Sequence, residues 1–200
     1  MIEDKDGSQF REHLLSSDLT GGLSDTEKTE VESIILKASE EDLDPNLRKV
    51  DKDQDNLNRE GVATDSTDIR TLIAKMRLPE KVKTALFGNS TCRTLLIRDG
   101  NKLIQHCVLK NPKLTEKEVE EFSRNPHLPD FVLRIIGDSR TWASNPVIRR
   151  NLVMNPKTPP AISLRLIRSL QVNDLKMIAR SKGLPTVIVT TARKLMLSKH

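Results

Sequence analysis

Four histidines and two cysteines are the side chains with which this chain could do nucleophilic, acid–base or metal chemistry. Their spacing supports none of it. His13, His106, His127 and His200 are scattered, and only His106 lies in a strongly helical segment. A catalytic histidine needs a nucleophile or partner and a cleft around it, so a lone one reads as solvated or satisfied. Cys92 and Cys107 form no Cys-x-x-Cys pair, and structural zinc wants four ligands at tight spacing. They read as small buried hydrophobes on neighbouring helices. No GxGxxG, GxxxxGK[ST] or GxSxG occurs to cradle phosphate or carry a nucleophile. Asp51, Asp53 and Asp55 open like a calcium loop, but the sixth and twelfth places hold Asn56 and Val62 instead of Gly and Glu. The expectation is a protein with no catalytic residues, no metal and no cofactor, not an enzyme.

Basic residues carry the remaining signal. Arg149 and Arg150, Arg165 and Arg168, Lys176 and Arg180, and Arg193 and Lys194 fall on four successive segments with helical periodicity. Side chains three or four apart share a helix face, so Arg165/Arg168 and Lys176/Arg180 can each present paired charge to one side. Ordered stacking of those helices would make a basic stripe suited to an acidic protein segment or to phosphates. The plainer alternative is that Lys and Arg cover solvated faces, their normal state. Trp142, the single Trp, either plugs the core under a connection at 138–145 or stands as an exposed binding anchor.

The net charge of +5 hides an asymmetry. Residues 1–66 hold 8 Lys/Arg against 18 Asp/Glu, whereas residues 67–200 hold 25 against 10. This places a boundary near residue 66 between an acidic, mostly disordered N-terminal segment and a basic helical domain, 67–200. Within the acidic segment, residues 8–17 suggest a short amphipathic stretch ended by Gly21-Gly22. Ser24-Asp25-Thr26-Glu27 has capping-box spacing and predicts a helix to about Glu41, with Val31, Ile34, Ile35 and Ala38 as its stripe. So narrow a stripe must dock on something or stay partly formed. Residues 42–67 are rich in Asp and Asn and read as a disordered linker. The first residues are acidic and polar, no apolar run nears membrane-spanning length, and the cysteines suit a reduced compartment. A cytoplasmic protein without a membrane partner is expected.

What would position the basic residues is a repeated corner. Asn155-Pro156-Lys157-Thr158-Pro159-Pro160 is echoed by Asn111-Pro112-Lys113-Leu114-Thr115, by Asn125-Pro126-His127-Leu128-Pro129, and by a worn Ser181-Lys182-Gly183-Leu184-Pro185. An apolar residue stands three places before each: Val108, Phe122, Leu152, Ile178. Proline cannot donate to a helix ladder and pushes the residue before it out of the α region, so Asn-Pro stops one helix. Pro129, Pro159 and Pro185 are expected at the first position of the next. Thr115 with Glu118 makes a capping box, and Thr158 is a candidate N-cap ahead of Pro159. The pattern predicts helices near 68–76, 79–87, 91–98, 102–110, 115–124, 129–137, 146–154, 159–170, 173–181 and 185–197. Gly88, Gly100, Gly137 and Gly183 fall at or near their ends. Units this short cannot bury their own faces, so neighbours must stack.

The Asn155-Pro156-Lys157-Thr158-Pro159 corner followed by an aliphatic helix resembles the leucine-rich-repeat variant and HEAT-like class of α-solenoids, over about 70–197. The resemblance implies an all-α, irregular solenoid of short helices whose usual role is binding other macromolecules. Repeat lengths are uneven, and the cysteine cluster that some members use for iron–sulfur binding has no counterpart here. Function is therefore expected to be that of a non-enzymatic scaffold or adaptor binding a protein partner, an acidic one suiting the basic domain, with no small-molecule substrate. Nucleic-acid binding through the basic domain is the alternative. A remote third is a repair-type enzyme on a HEAT-like scaffold, using one of Asp99, Asp130, Asp138 or Asp174.

Overall fold

A computed structural model describes residues 25–37, the two leucines at 43 and 47, and residues 66–198. The expected stretch at 8–17, the Ser24 cap, His13, His200 and the Asp51–Asp55 loop lie outside the described residues. Among those described, every regular element is helical. The helices are α1 (Asp25–Lys37), α2 (Ser66–Lys75), α3 (Leu78–Phe87), α4 (Ser90–Leu96), α5 (Lys102–Leu109), α6 (Glu116–Arg124), α7 (Asp130–Asp138), α8 (Arg140–Ser144), α9 (Pro146–Met154), α10 (Pro160–Leu166), α11 (Val172–Arg180) and α12 (Thr186–Ser198). A 3-10 turn, Ile167–Ser169, extends α10. The chain divides into two compact units, Met1–Leu114 and Thr115–His200. That division falls inside the basic region, so packing and charge partition the chain differently.

The corners have one geometry in three copies. At Asn111, Asn125 and Asn155 the side-chain Oδ1 accepts the N–H two residues on, at 2.8, 2.9 and 3.0 Å from Lys113, His127 and Lys157. The backbone oxygen of the same Asn accepts the N–H three residues on, from Leu114, Leu128 and Thr158. This double turn is what a short amide side chain before a donor-less proline can build. At two of the corners the amide does more. Asn111 Nδ2 donates to Ala85 O (2.9 Å) and Gly88 O (3.2 Å), carbonyls at the C-terminal end of α3. Asn155 Nδ2 donates to Ser123 O and Asn125 O, both at 3.0 Å, at the end of α6. Each Asn thus staples its own helix end to the end of an earlier helix. It supplies a donor to carbonyls at a helix C-terminus, where no further turn of helix provides one. Both asparagines are 4% exposed, and all of these bonds but the one to Asn125 O are buried away from water.

Around the staples the aliphatic faces close. In unit 1, α3 packs on α5 and α1, and α4 packs on α2, α3 and α5. Val82, Ala85, Cys92, Leu96, Leu103, Ile104, Cys107 and Val108 are buried there. In unit 2, α9 packs on α6, α8 and α10, and α11 packs on α12. Val119, Phe122, Val132, Leu133, Ile136, Ile148, Leu152, Ile178 and Ile188 form the interior. The narrow stripe of α1 does dock: Val31 is fully buried against unit 1, and Glu30 meets Arg77 at 3.3 Å.

Several local expectations need correction. The connection at 138–145 contains a helix, α8, which Ser139 caps by accepting from Trp142 N, and Asn145 follows as the cap of α9. The prolines sit one residue earlier than expected. Pro129 and Pro159 occupy the N-cap positions of α7 and α10, and Pro185 precedes α12. Thr158 is consequently not a cap; it is buried, and its hydroxyl has no hydrogen-bond partner among the described residues. Gly137 is the penultimate residue of α7, near the helix end as expected. A Cβ there would fall on Ile162 Cγ2, so glycine lets α10 approach. The Thr115–Glu118 capping box is present, with Thr115 N donating to Glu118 Oε2 at 2.8 Å. Leu43 and Leu47, read as linker, are buried at 5% and 2% exposure.

Candidate functional site

Several titratable groups are buried or paired within the fold. Burial pushes the Cys107 thiol far above its ordinary value, holding it protonated and unreactive. Cys92 is equally buried. Among the described residues no three His, Cys, Asp or Glu side chains group as metal ligands. Of the four aspartates weighed as catalytic carboxylates, Asp99 pairs with Lys81 at 3.0 Å and Asp138 with Arg165 at 2.7 Å. Asp174 lies 4.0 Å from Arg150, and Asp130 accepts from Phe131 N at the start of α7. No helix among the described residues is long and apolar enough to cross a membrane.

The basic residues separate into two kinds. Arg165 Nη2 donates to Gly137 O and Asp138 Oδ1, both at 2.7 Å, and Arg193 Nη2 donates to Ala179 O at 3.3 Å. Each closes the C-terminal end of a neighbouring helix, α7 and α11, where a cation also meets the negative end of the helix dipole. Arg149 is half-buried, with its Nε shut away from water and without a hydrogen-bond partner among the described residues. Arg168, Lys176, Arg180 and Lys194 are exposed. Arg168 sits on the 3-10 turn rather than on α10 itself. Lys176 and Arg180 do share α11 and are both exposed. Trp142 is half-buried on α8, which buries no residue fully.

Of this set, Arg150 enters a concave surface. A groove of about 560 Å³ in unit 2 is lined by Arg124, Pro126, Arg150, Met154, Pro156 and Met177, with the Asn151 and Asn155 side chains behind them. Its elements are the ends of α6 and α9 and the middle of α11. The Asn155 staple joins the first two ends, and the Arg150–Asp174 contact reaches the third. Asn151 Nδ2 adds a bond to Glu120 O at 3.2 Å. Met154 and Met177 are 39% and 46% exposed, large apolar side chains left facing water in a groove whose lining also holds two arginines. Methionine is soft and adaptable, and arginine is rich in donors, so such a surface fits a segment that is both apolar and acidic.

Arg124, Met154 and Met177 were not picked out by sequence reasoning. A signal for two of them existed. The residue just before each corner is exposed in every copy: Lys110, Arg124, Met154 and Arg180. The charge setting is local as well: residues 145–200 carry eleven Lys/Arg and one acid, Asp174. No family model, no curated protein and no solved structure matches this chain.

Proposed function

We propose that this protein is a non-enzymatic interaction module, with the short helices of each unit serving as repeats of an irregular α-solenoid, and that unit 2 binds an acidic segment of a protein partner. The observation that carries this reading is the groove lined by Arg124 and Arg150 together with the exposed Met154 and Met177. Large exposed apolar side chains rimmed by charge mark interaction surfaces, and arginine is enriched where partners anchor. After residue 145 the chain carries eleven Lys/Arg against one acid, Asp174, a basic setting that suits acidic ligands. Exposed Lys176 and Arg180 on α11 extend that setting beyond the groove.

The test compares two full-length proteins, wild type and Met154→Glu/Met177→Glu, as baits. Partners held by wild type and lost by the variant are then titrated directly as acidic peptides by fluorescence anisotropy. The expected result is saturable binding that the double variant weakens at least tenfold and that rising salt weakens moderately. Equal binding by both proteins overturns the assignment of the groove. Duplex and single-stranded oligonucleotides form the second arm. Tight binding of these, falling steeply with salt and indifferent to the methionine changes, would replace the protein partner by nucleic acid. The half-buried or buried states of Phe87, Phe122, Phe131 and Trp142 favour the first outcome, because base stacking needs exposed aromatic platforms.

A further inference from the structure

The exposed methionines of unit 2 lie in one place. Among the described residues Met76 and Met196 are half-buried, whereas Met154 and Met177 are exposed, and both of these line the groove. They come from different helices, α9 and α11, so no local run of sequence brings them together. Leucine would supply similar apolar bulk with no reactive atom. Methionine adds a thioether sulfur, which exposure leaves open to a peroxide.

The surroundings give oxidation a consequence. Arg150 stands four residues before Met154 on α9, hence one turn away on the same face. Its Nη1 approaches Asp174 only to 4.0 Å, beyond hydrogen-bond length, so its donors remain available. A thioether is a weak acceptor, but a sulfoxide carries a polar oxygen. Beside Arg150 that oxygen can accept from the guanidinium, taking donors that an incoming carboxylate would use. Oxidation thus removes apolar surface from the groove and engages the adjacent cation in one step.

We infer that Met154 and Met177 form a paired oxidation site that turns the groove off, an inference resting on the groove binding an acidic partner as proposed above. The forward reaction needs only a peroxide. The thioether lone pair attacks one peroxide oxygen, the S–O bond forms as the O–O bond breaks, and sulfur is oxidised by two electrons. The proton on the transferred oxygen passes to the departing hydroxide, which leaves as water. Reversal by a methionine sulfoxide reductase consumes a dithiol, which becomes a disulfide as the oxygen departs as water.

The experiment treats the full chain with hydrogen peroxide and follows each methionine by peptide mass spectrometry. Met154 and Met177 are expected to oxidise roughly fivefold faster than Met76 and Met196. Comparable rates overturn the inference whatever the groove binds. The second readout is the anisotropy of a fluorescein-labelled peptide of leucines set among glutamates. Treated protein should bind it roughly tenfold more weakly than untreated protein, and methionine sulfoxide reductase should restore the affinity. Met154→Leu/Met177→Leu should bind like wild type and keep its affinity through the same treatment, which also controls for Cys92 and Cys107. Met154→Gln/Met177→Gln, polar like the sulfoxide, should bind as weakly as treated wild type without any peroxide. Affinity unchanged by peroxide, or lost equally in the leucine variant, overturns the switch and leaves the proposed function standing. No binding of the peptide by untreated wild type overturns both.

Discussion

The two units share one device and use their surfaces differently. Asn111 in unit 1 and Asn155 in unit 2 make the same double turn and the same pair of amide-to-carbonyl bonds. Above that device, unit 1 has a groove partly filled by the chain's own Leu43 and Leu47, whereas unit 2 has a groove left open over Met154 and Met177. The corner therefore specifies how helix ends are locked together, and the residues beside it decide what the surface offers. An interaction surface can be tuned at those flanking places without touching the lock.

Substituting the staples tests whether the device is the same in both units. Asn155→Ala and Asn111→Ala should each cost about 2.5 kcal/mol, since each removes a donor from two carbonyls and only one of the two, Asn125 O or Gly88 O, keeps a second donor. The units carry separate probes. Trp142 fluorescence reports unit 2, and thiol labelling of Cys92 and Cys107 reports unit 1. Asn155→Ala is expected to lower the denaturation midpoint seen by Trp142, and Asn111→Ala to accelerate thiol labelling. A cost below about 1 kcal/mol at either position would break the equivalence.

Gly137→Ala sharpens the contrast from the side of unit 2, where α10 needs close approach. Forcing a methyl onto Ile162 should destabilise by about 2 kcal/mol, read again by Trp142. The next effect belongs to unit 1 alone. The fold keeps the Cys107 thiol protonated, while the unfolded chain ionises it near its ordinary value of 9.0. Above that pH the unfolded state binds fewer protons, so stability is present at neutral pH and falls as pH rises, by about 1.4 kcal/mol per unit. Urea midpoints at pH 9 and 10 measure this slope, and Cys107→Ala should flatten it. The smallest effect is expected for Arg165→Ala. Its side chain and that of Asp138 are 55% and 50% exposed, so loss of the pair together with the bond to Gly137 O should cost about 1 kcal/mol. By contrast Arg93, which donates to Gly88 O at the end of α3, is only 3% exposed.

The helix ends were legible because they are written locally. Pro112, Pro126 and Pro156 remove a donor from the ladder at the corner, and that fact needs no knowledge of the rest of the chain. The short helix at Arg140–Ser144 was not legible, because five residues show no period, although Ser139 and Asn145 were available as caps. The second role of Asn111 and Asn155 was hidden for a different reason. Their amides reach carbonyls 23 to 32 residues earlier, and no local pattern marks the receiving end. The same distance separates Arg165 from Gly137 and Asp138, so a residue read as surface charge turned out to finish a helix. Leu43 and Leu47 were masked by composition, since two leucines among acids look like linker until something receives them. The groove in unit 2 joins side chains from three helices, and only the exposed places beside Asn125 and Asn155 hinted at it.

Proline after each stapling asparagine has a chemical consequence beyond ending a helix. Spontaneous conversion of asparagine to aspartate starts when the next backbone nitrogen, stripped of its proton, attacks the side-chain amide and closes a ring. Pro112 and Pro156 offer a nitrogen with no proton to lose. The amides of Asn111 and Asn155 are thereby shielded from the commonest ageing reaction of their kind, which would put a negative charge against carbonyl oxygens in a dry interior. The locks between helix ends are built to last as long as the chain does.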